Sequence, residues 1–208
     1  MFSSKNIVSE NSGDVKHDLL LAATQISPHY LSAAPLCYAY AEFFNLTPVF
    51  MHLTLLNDQH RFKLDAAAFK RLAQALAGLA QMRIPGEPPW QEVTIHLLDD
   101  AGIAPVNAAV MAHEGTTDVI TQRYEPIPGE PAGLIGELFV NVERARRAAP
   151  RRAGWSADRE LALYLAHGFD HLTGADDHAP AERASMRRRE LGWLKRLPLT
   201  PLFQSGKL

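Results

Sequence analysis

The stretch HGFDHLTGADDH occupies residues 167–178 and restricts the possible structures more than any other part of this sequence. Its histidines His167 and His171 are four residues apart, so on a helix they share one face and can converge on one ion. Gly174 then turns the chain back toward that point. Three residues beyond the turn are candidates for a third ligand: Asp176, Asp177 and His178. Two imidazoles, a third N or O ligand and an open position describe a catalytic zinc site.

The alternative interpretation of this pair is two polar histidines on a solvated helix. The glycine and the acidic residues that follow at once favour the metal site. Position 168 is glycine, so the stretch differs from the His-Glu-x-x-His pattern of metallopeptidases, whose glutamate is the general base. Without that glutamate, metal activation of water must carry more of the chemistry.

The helix that carries the two histidines has a recognisable start and end. Ser156 is a suitable N-cap, and acidic residues in the first turn favour the helix dipole. An apolar face follows at helical spacing, formed by Leu161, Tyr164 and Leu165. Gly174 is expected to end the helix as its C′ residue. A last helix is predicted over residues 180–194.

Upstream, apolar and β-branched runs predict strands at residues 52–57, 93–98, 118–121 and 134–141. Helical spacing predicts helices at residues 66–82, with Asp65 as N-cap, and at residues 103–111. An arginine-rich helix or linker spans residues 142–154. Because strands and helices mix without strict alternation, the fold class is α+β, with a small mixed β-sheet packed with helices.

The chain divides into three parts. Residues 1–50 form an N-terminal extension without a catalytic pattern, and a clean strand pattern opens at Met51. Two explanations stay open: translation starts at Met51, or a lineage-specific extension packs on the domain. Residues 51–197 form the catalytic domain, and residues 198–208 form a proline-broken C-terminal tail.

Composition excludes few classes of protein. The chain has 208 residues, 47% of them hydrophobic, and a net charge of −2, so total charge indicates no partner. Its one cysteine, Cys37, excludes an internal disulfide and fits the cytoplasm. There is no run of about 18 apolar residues and no convincing signal peptide, so we expect no membrane association.

The metal segment resembles the YbeY family signature His-Gly-x-x-His-Leu-x-Gly-Tyr-Asp-His. The matching residues are His167, Gly168, His171, Leu172, Gly174 and Asp176. Upstream, Thr117 to Ile120 is similar to the family's Pro-Thr-Asp-Val-Leu segment, Asn107 matches its Asn, and Gly136 to Leu138 looks like its Gly-Asp/Glu-Ile strand. The resemblance covers about residues 52–195 and implies a metalloprotease-like fold.

The resemblance also implies one zinc ion per chain. Its ligands would be His167, which is also the expected catalytic residue, His171 and Asp177. The family's third histidine falls at Asp177, because Met186 stands twelve residues after Gly174, where the family usually has an apolar residue, often Met. His178, one residue later, remains a rival ligand by its chemistry.

The implied activity is that of a single-strand-specific endoribonuclease. The implied partners are ribosomal RNA and the small ribosomal subunit, and the implied roles are rRNA maturation and ribosome quality control in the cytoplasm. Met111 stands where the family pattern has an arginine associated with RNA cleavage. Two alternatives therefore stay open: a non-catalytic ribosome-associated zinc protein, and a metal-dependent hydrolase of another class.

Arginines are the candidates for RNA contact. One cluster contains Arg146, Arg147, Arg151 and Arg152, and a second contains Arg183, Arg187, Arg188 and Arg189. Such clusters can neutralise phosphates. The competing interpretation is a solvated helix face, since acidic residues sit among these arginines.

Overall fold

The structure is a computed structural model that describes residues 51–124, 133–149 and 154–204. Within these residues the strands are β1 (His52–Asn57), β2 (Trp90–Leu98), β3 (Val119–Tyr124) and β4 (Leu134–Asn141). The helices are α1 (Ala66–Gln81), α2 (Asp100–Met111), α3 (Val142–Ala148), α4 (Ala157–Leu172) and α5 (Pro180–Arg196). The extension predicted at residues 1–50 lies outside the described residues, as do Arg151 and Arg152.

The four strands form one mixed sheet in the order β1-β2-β4-β3. Strands β1, β2 and β4 are parallel, and β3 pairs antiparallel with β4 at the edge. This confirms the predicted α+β class with a small mixed sheet. Strand β2 begins three residues before its predicted start, because Trp90 pairs with Leu134 and is fully buried.

Most of the core lies on one face of this sheet, where α1, α3 and α4 pack. Its largest fully buried side chains include Phe69, Leu76, Ile95, Leu138 and Phe169. The opposite face carries a smaller cluster, in which Ile103 of α2 packs on Leu98 and Ile120. Helix α2 begins earlier than predicted, because the Asp99 side chain accepts a hydrogen bond from the Gly102 backbone N–H.

Helix α4 follows its predicted limits. The Ser156 hydroxyl accepts a hydrogen bond from the Arg159 backbone N–H at 3.2 Å. The predicted apolar face is buried. The helix ends at Leu172 with Thr173 as its cap, and Gly174 follows with φ +81°, which confirms its C′ position.

The segment predicted as an arginine-rich helix or linker begins with helix α3. The Asn141 side chain caps it by accepting a hydrogen bond from the Arg144 backbone N–H at 2.9 Å. None of the helices in the described part of the chain is long and apolar enough to cross a membrane.

Candidate metal centre

The two histidines of α4 meet as their spacing predicts. The Nε2 atoms of His167 and His171 lie 3.2 Å apart. Both side chains are partly buried, and the His167 side chain is 20% exposed. The pair is therefore reachable from solvent while most of each ring is held by the protein.

Each ring is fixed through its other nitrogen. His167 Nδ1 lies 2.6 Å from Glu190 Oε1, and His171 Nδ1 lies 2.9 Å from the Ala175 carbonyl oxygen. A carbonyl and an ionised carboxylate can only accept, so both Nδ1 atoms carry the hydrogen of the neutral ring. Both Nε2 atoms are therefore placed to share one cation, either a proton or a metal ion.

This donor set fits zinc. Two nitrogens bound to one tetrahedral zinc at about 2.0–2.1 Å lie roughly 3.4 Å apart, close to the separation of this pair. Asp177 Oδ2 lies 3.9 Å from His167 Nε2. One ligand atom from each of His167, His171 and Asp177 falls within 4.8 Å of the others. The second contact that each ring makes is typical of metal-binding histidines.

The other two candidates for the third ligand lie farther out. The His178 side chain is 89% exposed, and its Nδ1 is hydrogen-bonded to Asp176. Asp176 and His178 form a second group with Asp177 and do not join the histidine pair. Of the three candidates, the structure thus brings Asp177 to the two histidines.

The charges around His167 favour a cation. Burial alone would lower the pKa of His167. The hydrogen bond and negative charge of Glu190, together with the charges of Asp118 and Asp177, outweigh burial and raise that pKa above its usual value. The same field that attracts a proton also attracts a metal ion.

The glycine between the two histidines has a packing reason. A Cβ atom at Gly168 would lie 2.8 Å from Leu138 Cδ2 and 3.1 Å from Val119 Cγ2. Helix α4 can approach the sheet this closely only without a side chain there. Gly168 thus provides no general base of the peptidase type, and a larger side chain at this position would have to displace Leu138.

Two acidic residues at this site escaped the sequence analysis. Glu190 is 1% exposed and belongs to the buried face of α5, together with Met186 and Trp193. Met186, Glu190 and Trp193 are spaced four and three residues apart, which places Glu190 on the apolar face of the helix. A buried carboxylate there needs a hydrogen-bonding or charged partner, so the sequence did contain a signal for this residue. Asp118, whose charge acts on His167, precedes β3; it belongs to the segment that is similar to the family, but the sequence indicated no role for it at the metal site.

A buried ion pair holds α5 against α4. Asp170 has a fully buried side chain, and Arg189 Nη2 lies 2.7 Å from its Oδ2. Arg189 Nε donates to both carboxylate oxygens at 2.9 Å, and Arg83 Nε lies 3.4 Å from Oδ1. Glu190 directly follows Arg189 in the chain, so the Arg189–Asp170 ion pair also keeps Glu190 in place beside His167.

Met111 ends α2 with its side chain 49% exposed. In the same helix, Asn107 is buried and donates from Nδ2 to the Gly115 carbonyl oxygen at 3.1 Å. Asn107 thus shapes the loop between α2 and β3, whereas Met111 provides neither charge nor a hydrogen-bond donor on its side chain.

The described arginines of the first cluster have partners within the chain. Arg147 Nη1 lies 2.5 Å from Asp100 Oδ2, and this hydrogen bond helps to hold the pKa of Asp100 below its usual value. Arg146 lies over the Phe203 ring, with Cζ 5.2 Å from its centroid. The Arg147 side chain is still 47% exposed. Its predicted contact with RNA stays a prediction.

A model of the family described as Endoribonuclease YbeY matches residues 54–198. The chain belongs to the YbeY family. The match contains every residue of the metal site described above, from Asp118 to Glu190. In the YbeY signature, the glycine at 168 serves the packing of α4, and the glycine at 174 ends that helix.

Curated relatives agree with the YbeY assignment. A protein named Endoribonuclease YbeY from Pelotomaculum thermopropionicum is 32% identical over 154 residues, which are 72% of this chain and 99% of that relative. One of the same name from Rhodopirellula baltica is 39% identical over 104 residues, but the chain spans only 52% of its length. A solution structure of a Thermotoga maritima protein is 18% identical, with a TM-score of 0.45, over 69% of this chain and 87% of that one.

Proposed function

We propose that this chain is a zinc-dependent endoribonuclease that cleaves single-stranded RNA. The observation that carries the proposal is the convergence of the His167 and His171 Nε2 atoms, each ring being fixed through its Nδ1. The names of the family model and of the relatives support RNA as the substrate.

The proposed ligands are His167, His171 and Asp177, and we assign the catalytic role to His167 as one of them. A zinc ion bound there supplies Lewis-acid polarisation and a water of lowered pKa. Glu190 and the Ala175 carbonyl hold the two rings in the tautomer that binds metal. Three protein ligands leave one position open for water or substrate.

The proposed substrate is small-subunit ribosomal RNA, and the proposed role is its maturation and ribosome quality control in the cytoplasm. The resemblance of the metal segment to the family signature supports this choice. We keep Arg146, Arg147, Arg151 and Arg152 as a proposed RNA-binding surface, since exposed guanidinium groups can neutralise phosphates.

A second candidate function is a ribosome-associated zinc protein that does not cleave RNA. The observation that favours it is Met111, because a methionine cannot clamp the charge that develops on a scissile phosphate. A peptidase is disfavoured, because Gly168 stands at the position of its general base.

The deciding experiment is a nuclease assay on zinc-loaded protein, with single-stranded and duplex RNA and with a peptide as the comparison substrate. We expect one zinc per chain, cleavage of single-stranded RNA, and loss of both zinc and cleavage in His171→Ala. Chelator should abolish cleavage in the parent protein.

The other outcomes separate the candidates. Binding of RNA without cleavage, followed by a gain of cleavage in Met111→Arg, would replace the proposal by the second candidate. Full zinc occupancy in His171→Ala would refute the site itself. Hydrolysis of the peptide alone would assign the chain to another class of hydrolase.

A further inference from the structure

An open cleft of about 300 Å³ lies between the start of α4 and one face of α5. Its lining residues are Trp155, Arg159, Arg188, Leu191, Gly192 and Lys195. The four residues from α5 have the spacing of a single helix face. Three of the six carry a positive charge and none carries a negative one, so the cleft concentrates positive potential.

The charges of this cleft are available to a ligand. Arg159, Arg188 and Lys195 form no ion pair with a carboxylate in the part of the chain that the structure describes. Neighbouring arginines differ: Arg189 is bound to Asp170, and Arg187 lies 3.5 Å from Glu190. Arg187, Arg188 and Arg189 are consecutive in sequence, and only the structure shows that Arg187 and Arg189 have carboxylate partners while Arg188 lines the cleft.

The cleft also has a flat aromatic wall. The Arg159 guanidinium lies over the Trp155 ring, with Cζ 4.2 Å from the ring centroid. This cation–π contact restricts the motion of the guanidinium without neutralising its charge. Fixed cations beside an aromatic side chain are the combination with which proteins bind single-stranded nucleic acid.

The cleft and the metal centre lie along the same helix. Arg159 and His167 belong to the same helix, eight residues apart, and are therefore separated by about 12 Å along its axis. A single strand of a few nucleotides spans such a distance. A strand whose scissile bond lies at the histidines can thus place another of its phosphates between α4 and α5.

We propose that this cleft binds a phosphate of the single-stranded RNA substrate, away from the scissile bond. Arg188 and Lys195 neutralise the phosphate, Arg159 adds its guanidinium, and Trp155 provides the surface beside the nucleotide. The inference rests on the proposed ribonuclease function and assigns part of its substrate contact. It adds a contact surface distinct from the arginines of α3.

The test compares two double variants that each remove two positive charges. The cleft variant is Arg188→Gln with Lys195→Gln, and the control is Lys63→Gln with Lys70→Gln, since both lysines are exposed and neither forms an ion pair with a described residue. Binding of a labelled, cleavage-resistant 2′-O-methyl oligoribonucleotide is measured by fluorescence anisotropy at several salt concentrations. Thermal unfolding verifies that each variant is folded.

Losing this one phosphate contact should make the slope of log K against log salt shallower by about 0.7. With 1 M salt as the reference, binding at 0.1 M should then be weaker by about 5-fold. The control should bind within about twofold of the parent protein. Cleavage by the cleft variant should fall chiefly at low RNA concentration, because the contact binds substrate without touching the scissile bond.

A local readout comes from tryptophan fluorescence. Trp90 and Trp193 are buried, whereas Trp155 is partly exposed beside the cleft. RNA should change the emission of the parent protein, and Trp155→Phe should remove that change. A cleft variant that binds like the control overturns this inference but leaves the ribonuclease function intact. A parent protein that neither binds nor cleaves RNA overturns both.

Discussion

Glu190→Gln tests whether the buried carboxylate behind His167 controls metal affinity. Glu190 Oε1 lies 2.6 Å from His167 Nδ1, and the Glu190 side chain is 1% exposed. A glutamine has nearly the same shape, and its amide oxygen can still accept the hydrogen of Nδ1. The substitution therefore removes the negative charge from the pair while preserving most of its geometry.

The expected effect is a 10- to 100-fold loss of zinc affinity. A hydrogen bond to a charged group contributes about 1.5–3 kcal/mol, and each 1.4 kcal/mol is a factor of ten in affinity. Loss of such a partner behind a ligating histidine costs a similar 10–100-fold in known metal sites. At saturating zinc, the stabilisation by metal should fall by about 1.4–2.8 kcal/mol. For a domain of this size, that corresponds to roughly 3–11 °C in Tm.

Zinc affinity is measured by competition with a chromophoric chelator, and Tm with and without zinc. The difference between the two Tm values isolates the effect on metal binding, because neutralising a buried carboxylate also changes the metal-free protein. Glu92→Gln is the matched control, since this residue of β2 has a side chain that is 45% exposed. If Glu190→Gln binds zinc within about twofold of the parent protein, the carboxylate has no such role.

Three further predictions concern the same site and its support. Asp177→Ala should release zinc and His178→Ala should retain it; metal analysis showing the reverse would make His178 the third ligand. Gly168→Ala should lower the free energy of unfolding by about 1–3 kcal/mol by forcing its Cβ against Leu138, and an unchanged denaturation midpoint would contradict this. A shortened chain beginning at Met51 should fold and retain its zinc, whereas insoluble or metal-free protein would show that the extension is needed.

The parts of the site that could be predicted are those set by local sequence. The Ser156 cap, the spacing of the histidines and the glycine at 174 lie within one helix and its end, so short-range rules were sufficient. The strands were recognised for the same reason. Their order in the sheet and the edge position of β3 depend on distant pairing, and the sequence contained no signal for these features.

The contacts that could not be predicted from the sequence join residues that are far apart in the chain. Glu190 acts on a histidine 23 residues away, and Arg189 is bound to Asp170 across the contact of α4 with α5. In sequence, Arg187, Arg188 and Arg189 are equivalent charges. Only Arg188 faces the cleft, because a helix turns by about 100° at each residue.

The dependence of His167 on Glu190 has a consequence for the order in which this protein becomes functional during synthesis. Chain growth supplies both histidines and Asp177 well before it supplies the carboxylate that orients the first of them. A chain that stops between residues 177 and 189 contains all three proposed ligands, but it lacks Glu190, the partner of His167 Nδ1, and the Arg189–Asp170 ion pair. Tight metal binding, and any cleavage that depends on it, would therefore begin only once α5 has been made and has docked. The proposed nuclease would therefore be least active as an unfinished chain, beside the ribosome that is producing it.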